Sequence, residues 1–492
     1  MNVLFHLPII VILIPLTAAY LMPLVGHKWK KWCNSLAVVA LALSFVASLV
    51  LARLVLVNGP MHYYMAGFMP PWGIELVVDY LGAYMCVVIS FITLLVALYS
   101  KEYITKELSE QRRPQYYTLL LLLTGSMMGA SITGDLFNLF VCFEILSISS
   151  YALVSISGEG KALLAGYKYL LIGAIASSFL LLGIGHLYIS TGTLNMADMF
   201  VRLPPLYSSW TVLAALALLI VGLSIKTALF PLHVWLPDAY TNAPCSVPVL
   251  STLVIKVGAV AIIRLLFNIF QPSFVINTIP MTAALSYIAA IAIIVASLFA
   301  ISQTDIKRML AYSSVCHVAY VILGIGVGTE LGLTGGMLHI INHAVTKGCL
   351  FFCAGAIIYK TGTRNIREFG GLGRKMPVTM GAFTLAALSM VGIPPTNGFM
   401  SKFYIALAAM TAGRPECAIV ILLSSLLNAI YFIRVINITY FGIPEEEIEI
   451  DEAPPTMLYP IVMLAACCLI LGFGVELPLT ILRPAAQVLL GV

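Results

Sequence analysis

The 492-residue chain is 61% hydrophobic and only 10% charged, with 26 Lys and Arg against 21 Asp and Glu, and its mean hydropathy is +1.02. So few charges cannot cover a globular exterior, and apolar side chains must therefore face lipid. This excludes a soluble enzyme and a disordered chain, and a dispersed net charge of +5 excludes a nucleic-acid binder.

Crossing about 30 Å of hydrocarbon takes roughly 20 apolar residues as helix, with every backbone polar group paired inside it. Fourteen segments reach that length: 4–25, 34–57, 77–99, 115–132, 135–157, 162–189, 210–235, 245–270, 281–301, 307–328, 331–359, 377–409, 416–440 and 457–480. The first lacks a basic lead-in and a small-residue cleavage site, and is expected to be a retained helix. Strands are not expected, because the runs are too long and unbroken for the alternating pattern of a membrane barrel. The expected organisation is three N-terminal helices in 1–114, five helices in 115–270, five more in 281–441, and an acidic loop with a last helix in 442–492. An even number of crossings puts both termini on one side. Loops after segments 1, 3, 5, 9 and 11 hold fifteen Lys and Arg against five on the opposite face. The lysine-rich face is thus expected to be cytoplasmic, with both termini outside. The acidic loop from Glu445 to Glu452 is expected to be a solvated linker, with partner docking as the sharper alternative.

Five charges fall well inside segments: Glu144, Lys226, Lys256, Lys347 and Lys402. Each costs at least about 2.5–3.5 kcal/mol at the bilayer centre, so they require a polar interior or partners. Glu144, Lys226 and Lys256 are too far from the segment ends for a side chain to reach a headgroup. In segment 11, His339, His343 and Lys347 follow an i, i+4, i+8 spacing and form one polar stripe, and His317 sits halfway along segment 10. His186 and His233, each alone, read as structural. Metal binding by His339 and His343 is disfavoured because no third ligand lies in sequence reach. The ten cysteines include no CxxC pair, and neither a metal nor another cofactor is expected in this chain.

These residue types suit proton transfer. Lysine and histidine exchange protons when their surroundings change, whereas arginine stays charged, and all four deep basic positions outside the histidines are lysines. A Glu144–Lys226 ion pair would hold a proton, and breaking the pair would release it. Two segments are interrupted beside such lysines. Pro231 follows Lys226 in segment 7, and Gly392-Ile-Pro394-Pro395 precedes Lys402 in segment 12, freeing carbonyls around Met390 and Val391. Discontinuous helices with unpaired carbonyls line wet cavities in transporters. Segment 4 begins at 115 and segment 9 at 281, and this offset of 166 carries Lys226 to Gly392, ten residues from Lys402, which hints at duplication.

TGDLFNLFVCFEILSISSYALVS around Glu144, KTALFPLHVWLPDAY from Lys226, QTDIKRMLAYSSVCHVAYV through His317, and GIPPTNGFMSKF at Lys402 occur in this order. The chain resembles the antiporter-like subunits shared by respiratory complex I, Mrp-type sodium/proton antiporters and membrane-bound hydrogenases. The resemblance covers segments 3 to 13. It implies an all-α membrane protein of fourteen helices, with inverted repeats in helices 4–8 and 9–13 and with helices 7 and 12 broken. It implies that Glu144 pairs with Lys226, that Lys256 relays protons, that His317, His339 and His343 lie on a central polar axis, and that Lys402 gates an outer half-channel. Lys347 joins this set from its place on the histidine stripe. TGTLNMADM at 191–199 is similar to the D-type Mrp subunit and its hydrogenase counterpart, whereas KTALFPLHVWLPDAY is closer to complex I and hydrogenase relatives.

The expected function is a proton-translocating subunit without its own redox centre, driven by other membrane subunits of a respiratory or antiporter complex, with the lean towards a hydrogenase-type or related Mrp-containing respiratory complex. Sodium is possible elsewhere in that complex, but buried lysines repel Na+. The alternatives are a subunit of a stand-alone Mrp-type antiporter, an autonomous solute transporter, for which no dedicated cavity is evident, and a structural subunit with a vestigial axis.

Overall fold

The computed structural model describes residues 3–443 and 451–491. The two outward-lying helices α1 (Leu7–Lys28) and α2 (Cys33–Asn58) lead to a hairpin of β1 (Met61–Tyr64) and β2 (Glu75–Val78). Then come α3 (Tyr80–Glu107), α4 (Arg113–Ile132), α5 (Leu136–Val154), α6 (Gly160–Thr191), the short α7 (Met196–Arg202), α8 (Trp210–Lys226), α9 (Trp235–Asn242) and α10 (Ser246–Arg264). The second half holds α11 (Met281–Ile301), α12 (Ile306–Val327), α13 (Glu330–Thr361), the short α14 (Leu372–Lys375), α15 (Pro377–Val391), α16 (Asn397–Thr411), α17 (Pro415–Phe441), α18 (Pro455–Phe473) and α19 (Glu476–Leu490).

Eleven helices among the described residues are long and apolar enough to cross a membrane, and the chain is a multi-pass membrane protein. Of the fourteen expected segments, the seventh and twelfth are each divided, leaving shorter apolar helices at Trp210–Lys226 and Pro377–Val391. The fourth, α4, is less apolar, with Thr124, Gly125, Ser126, Gly129 and Ser131 in its second half. The last also differs: α18 stops at Phe473, and α19 continues to Leu490, past the expected end at 480. The expectation of no strands is corrected by the antiparallel β1–β2 hairpin, in which Met61 faces Val78 and Tyr64 faces Glu75. It lies between helices rather than within one, and its four-residue runs are too short to register as a periodic signal.

Of the acidic stretch, residues 444–450 lie outside the described residues. Asp451 pairs with Lys360 at 2.6 Å, and the hydrogen bond from that ammonium holds its carboxyl below the usual carboxylate range. Glu452 accepts from the amides of Val378 (2.8 Å) and Thr379 (3.4 Å) and so caps α15, where the positive helix end favours a carboxylate. This end of the loop is a cap rather than a free linker.

Helix starts are set by side-chain caps. Asp79, Asp135 and Asp305 accept from the amides of Gly82 (2.7 Å), Asn138 (2.7 Å) and Arg308 (3.0 Å), each cap contributing about 1 kcal/mol. Two of these caps belong to one local device that occurs twice. Asp135 bridges to Asn195, and Asp305 bridges to Asn365. Both members are separated by the same 170 residues (305 − 135 and 365 − 195), within Thr191-Gly-Thr-Leu-Asn195 and Thr361-Gly-Thr-Arg-Asn365. The backbone bonds also correspond: Leu136 donates to Leu194 (2.9 Å) and Ile306 donates to Arg364 (3.0 Å).

Packing then places the centre. Helices α10, α12 and α13 are almost wholly buried, while α1, α2 and α6 expose most of their surface. Helix α13 runs parallel to α3, because Tyr84, Tyr99 and Lys106 donate to the carbonyls of Met337 (3.1 Å), Phe352 (2.9 Å) and Tyr359 (2.5 Å), always 253 residues on. Helices α12 and α13 touch backbone to backbone: a Cβ on Gly324 would lie 2.7 Å from the Gly332 carbonyl oxygen and from the Gly336 Cα. Only glycine permits that approach.

Two charges that the sequence places in loops are buried. Arg264 forms a two-pronged pair with Asp79 (3.1 and 3.0 Å) and donates to the Ser131 carbonyl (2.6 Å), tying together α3, α4 and α10. Lys307 is 1% exposed and donates to the Ala243 carbonyl. Both partners are distant in sequence, so the helix-end position of each cation disguised its burial.

Candidate functional site

Lys226 is the last residue of α8, where the exposed carbonyls of a helix end favour a cation. The chain then turns: the amides of Thr227 and Leu229 fold back onto the carbonyls of Leu223 (2.8 Å) and Ser224 (2.9 Å). Ala228 takes a left-handed φ of +53°, unusual for a residue with a side chain. Pro231 lies in this turn. Helix resumes at Trp235, whose indole donates to the Ile225 carbonyl (3.0 Å) and stacks on Tyr169 (4.0 Å between centroids). The Lys226 ammonium lies 3.6 Å from Glu144 Oε1. It donates to Ser147 (2.6 Å) and Ser177 (3.1 Å), and the Ser177 hydroxyl donates to Glu144. Lys226 is 5% exposed but the Glu144 side chain is 34% exposed, beside the exposed Val141, Ile145 and Ile148. The pair thus lies at an outward edge of the chain.

Towards the interior, Gly258 of α10 packs on the Lys226–Thr227 backbone, where a Cβ would come within 2.6 Å of Thr227 Cγ2. Two residues before it, Lys256 is fully buried and donates to the Thr252 carbonyl of its own helix (2.8 Å). Its helix α10 packs against α13, which carries His343 and Lys347.

The three histidines form one layered group. Ring centroids of His317 and His339 are 5.4 Å apart, those of His317 and His343 5.5 Å, and those of His339 and His343 6.0 Å. His317 Nδ1 and His339 Nε2 are hydrogen-bonded at 3.2 Å. The network extends from His339 to Ser401 (2.8 Å), and from His317 to Asn428 (3.3 Å) and on to Tyr431 (2.8 Å) and Ser313 (2.7 Å). Both ring nitrogens of His343 are buried without a protein partner, a state that calls for bridging water. Lys347 is buried and donates to the Leu310 carbonyl (3.0 Å).

At the far end, α15 stops at Val391 and α16 starts at Asn397, with Pro394 and Pro395 between. Lys402 donates to the freed carbonyls of Met390 (2.7 Å) and Val391 (3.1 Å) and to Ser425 (3.2 Å). Its ammonium stands 5.0 Å above the Tyr320 ring, which neighbours His317 and His339. Gly392, at φ +93°, gives the lysine room, since a Cβ there would lie 3.1 Å from Lys402 Cδ.

The structure thus gathers Glu144 and Lys226 in one cluster and His317, His339, His343 and Lys402 in a second, with Lys256 and Lys347 near the second. The hydroxyl and amide partners Ser147, Ser177, Ser401, Asn428 and Tyr431 escape a reading of the sequence, because such residues are common in apolar helices and only tertiary contact singles them out.

Residues 133–428 match the family described as NADH:quinone oxidoreductase/Mrp antiporter, transmembrane, and residues 62–117 match the N-terminus of chain 5 of NADH-ubiquinone oxidoreductase (complex I). The chain is 41% identical to NADH-quinone oxidoreductase subunit N of Desulforudis audaxviator (strain MP104C), covering 95% of each. It is 33% identical to the D-type subunit of the Na(+)/H(+) antiporter of Alkalihalophilus pseudofirmus, covering 96% of this chain and 94% of that one. Among solved structures it resembles a chain of the membrane-bound sulfane sulfur reductase, an archaeal respiratory membrane complex, with a TM-score of 0.91, 31% identity, and coverage of 99% and 98%. The chain belongs to the NADH:quinone oxidoreductase/Mrp antiporter family of membrane subunits.

Proposed function

We propose that this chain is the proton-translocating, antiporter-like subunit of a multi-subunit membrane complex, and that H+ passes along Glu144, Lys226, Lys256, Lys347, the three histidines and Lys402. The observation that carries this reading is the two clusters of ionisable groups, Glu144 and Lys226 bridged by Ser177, and His317 bonded to His339 beside the orphaned nitrogens of His343. A buried charge is retained in a membrane only at a cost, and a series of groups that can take and give protons supports a relay. Carboxylates that could ligate Na+ are scarce in it, which supports H+ as the ion handled here.

The fold is fourteen crossings in this reading, with α8–α9 and α15–α16 each forming one interrupted crossing. Helices 4–8 and 9–13 are inverted repeats. The duplicated Asp–Asn device supports them, and its spacing of 170 also relates Ser147 to His317 and Ser177 to Lys347. The lysine-rich face is cytoplasmic. A neighbouring membrane subunit covers the edge where Glu144 is part-exposed, since a lipid-facing carboxylate is costly.

The host complex is a respiratory one of the kind named for the 41% relative and the sulfane sulfur reductase, with the hydrogenase type as its nearest chemistry. Similarity to the D-type subunit of an Na(+)/H(+) antiporter supports the second reading, a stand-alone antiporter. The subunits that copurify decide between them. The test of transport is the intact complex in vesicles with Glu144→Ala or Lys226→Ala. Proton translocation falls at least about tenfold in each while the complex assembles. Undiminished transport in both removes the assignment.

A further inference from the structure

At the turn between α1 and α2, remote from the buried relay, His27, Lys28, Lys30, Lys31, Lys101 and Arg113 converge on a cleft of about 680 Å³. Among the described residues, Glu110 is the only acid lining it, 3.9 Å from Lys30. Lys28, Lys31 and Lys101 form no ion pair among the described residues. Arg113 is held in place by the carbonyls of Leu108 (3.2 Å) and Thr105 (3.0 Å). Such a gathering of cations on a membrane protein with few charges repels itself and is stabilised by an anion.

The surroundings say which anion. Trp29 and Trp32 flank the cleft and are 61% and 66% exposed. They stand where α1 ends and α2 begins, the position at which amphipathic rings mark the headgroup level. Directly along the two helices run the exposed Leu21, Leu24, Val39 and Leu43, a surface for acyl chains. A soluble phosphate compound has no use for that apolar track. We propose that this cleft binds an anionic phospholipid, its phosphodiester held by Lys28, Lys31 and Lys101 with Trp29 and Trp32 packed at the glycerol level. Basic pockets between helices on the lysine-rich face suit such headgroups.

The test is native mass spectrometry of the purified full chain in detergent, titrated separately with phosphatidylglycerol, phosphatidylcholine and inorganic phosphate. Phosphatidylglycerol binds, and the other two do not at the same concentration. The Lys28→Gln/Lys31→Gln/Lys101→Gln variant binds it about a hundredfold more weakly, from roughly fivefold per lysine. The corresponding Lys→Arg variant retains binding, as does Lys161→Gln in a different lysine-rich loop. Equal binding by the triple Gln variant, equal binding of phosphatidylcholine, or displacement of the lipid by equimolar phosphate overturns the proposal. Because the Gln variant could fail to fold, the unaltered chain answers as well: brominated phosphatidylglycerol quenches its tryptophan emission more than brominated phosphatidylcholine, and equal quenching overturns the site. In the intact complex, a photo-crosslinker at position 29 yields a lipid adduct. A protein adduct there assigns the cleft to a neighbouring subunit and overturns it too.

Discussion

At the residue scale, the choice between lysine and arginine decides what the buried cations can do. Arg264 is used where a permanent charge is wanted: it grips Asp79 with both terminal nitrogens and gives up no proton. Lys226 instead meets Glu144 through a single ammonium at 3.6 Å, with Ser147 and Ser177 ready to take its hydrogen bonds. Lys226→Arg preserves the ion pair but cannot deprotonate. Its expected phenotype is normal assembly, read from the subunit pattern of the purified complex, with proton uptake into vesicles reduced at least about tenfold. Uptake at the unaltered rate would mean that Lys226 acts as a fixed charge. The deep charges stood out in the sequence because a charge in an apolar run is costly. The Arg264–Asp79 pair did not, since each member sits at a helix end and the two are 185 residues apart.

At the element scale, the breaks and the close crossing of α12 with α13 assemble the site. The Gly-Ile-Pro-Pro-Thr-Asn-Gly stretch revealed one break in advance, because proline lacks the amide a helix needs. The β1–β2 hairpin was hidden, as its runs are only four residues long. The sequence hints at a duplication only loosely, at an offset of 166, since apolar segments have ill-marked ends. The Asp–Asn device that the structure shows twice has an offset of 170. The Gly324–Gly336 contact was also illegible, because many glycines in membrane helices lie in open space. It carries its own prediction. Gly324→Ala drives a methyl into the α13 backbone and parts the helices bearing His317 and His339. The cost is about 1–3 kcal/mol, the usual range for overpacking, seen as a lower thermal midpoint together with reduced transport. Unchanged values of both would show that the crossing is looser than its geometry.

At the scale of the whole molecule, the two clusters differ in what lies on either side. Near the start of α5, a small cavity is lined by apolar side chains, among them Leu136, Leu139, Phe143, Leu180, Leu219 and Leu223. Inward, Gly258 abuts the Lys226 backbone, and its helix α10, bearing Lys256, packs against α13 with His343 and Lys347. The route proposed above runs from the edge bearing Glu144 to the break at Lys402. His343 stands in the middle of that path, with both nitrogens free of protein partners, so it tests continuity better than either end. The decisive measurement is proton translocation by the intact complex carrying His343→Gln, reconstituted in sealed vesicles and compared with the unaltered complex at equal turnover of the driving reaction. Translocation below about a tenth of the unaltered value, with assembly intact, is the result predicted here. Full translocation would mean that protons cross without this lateral file.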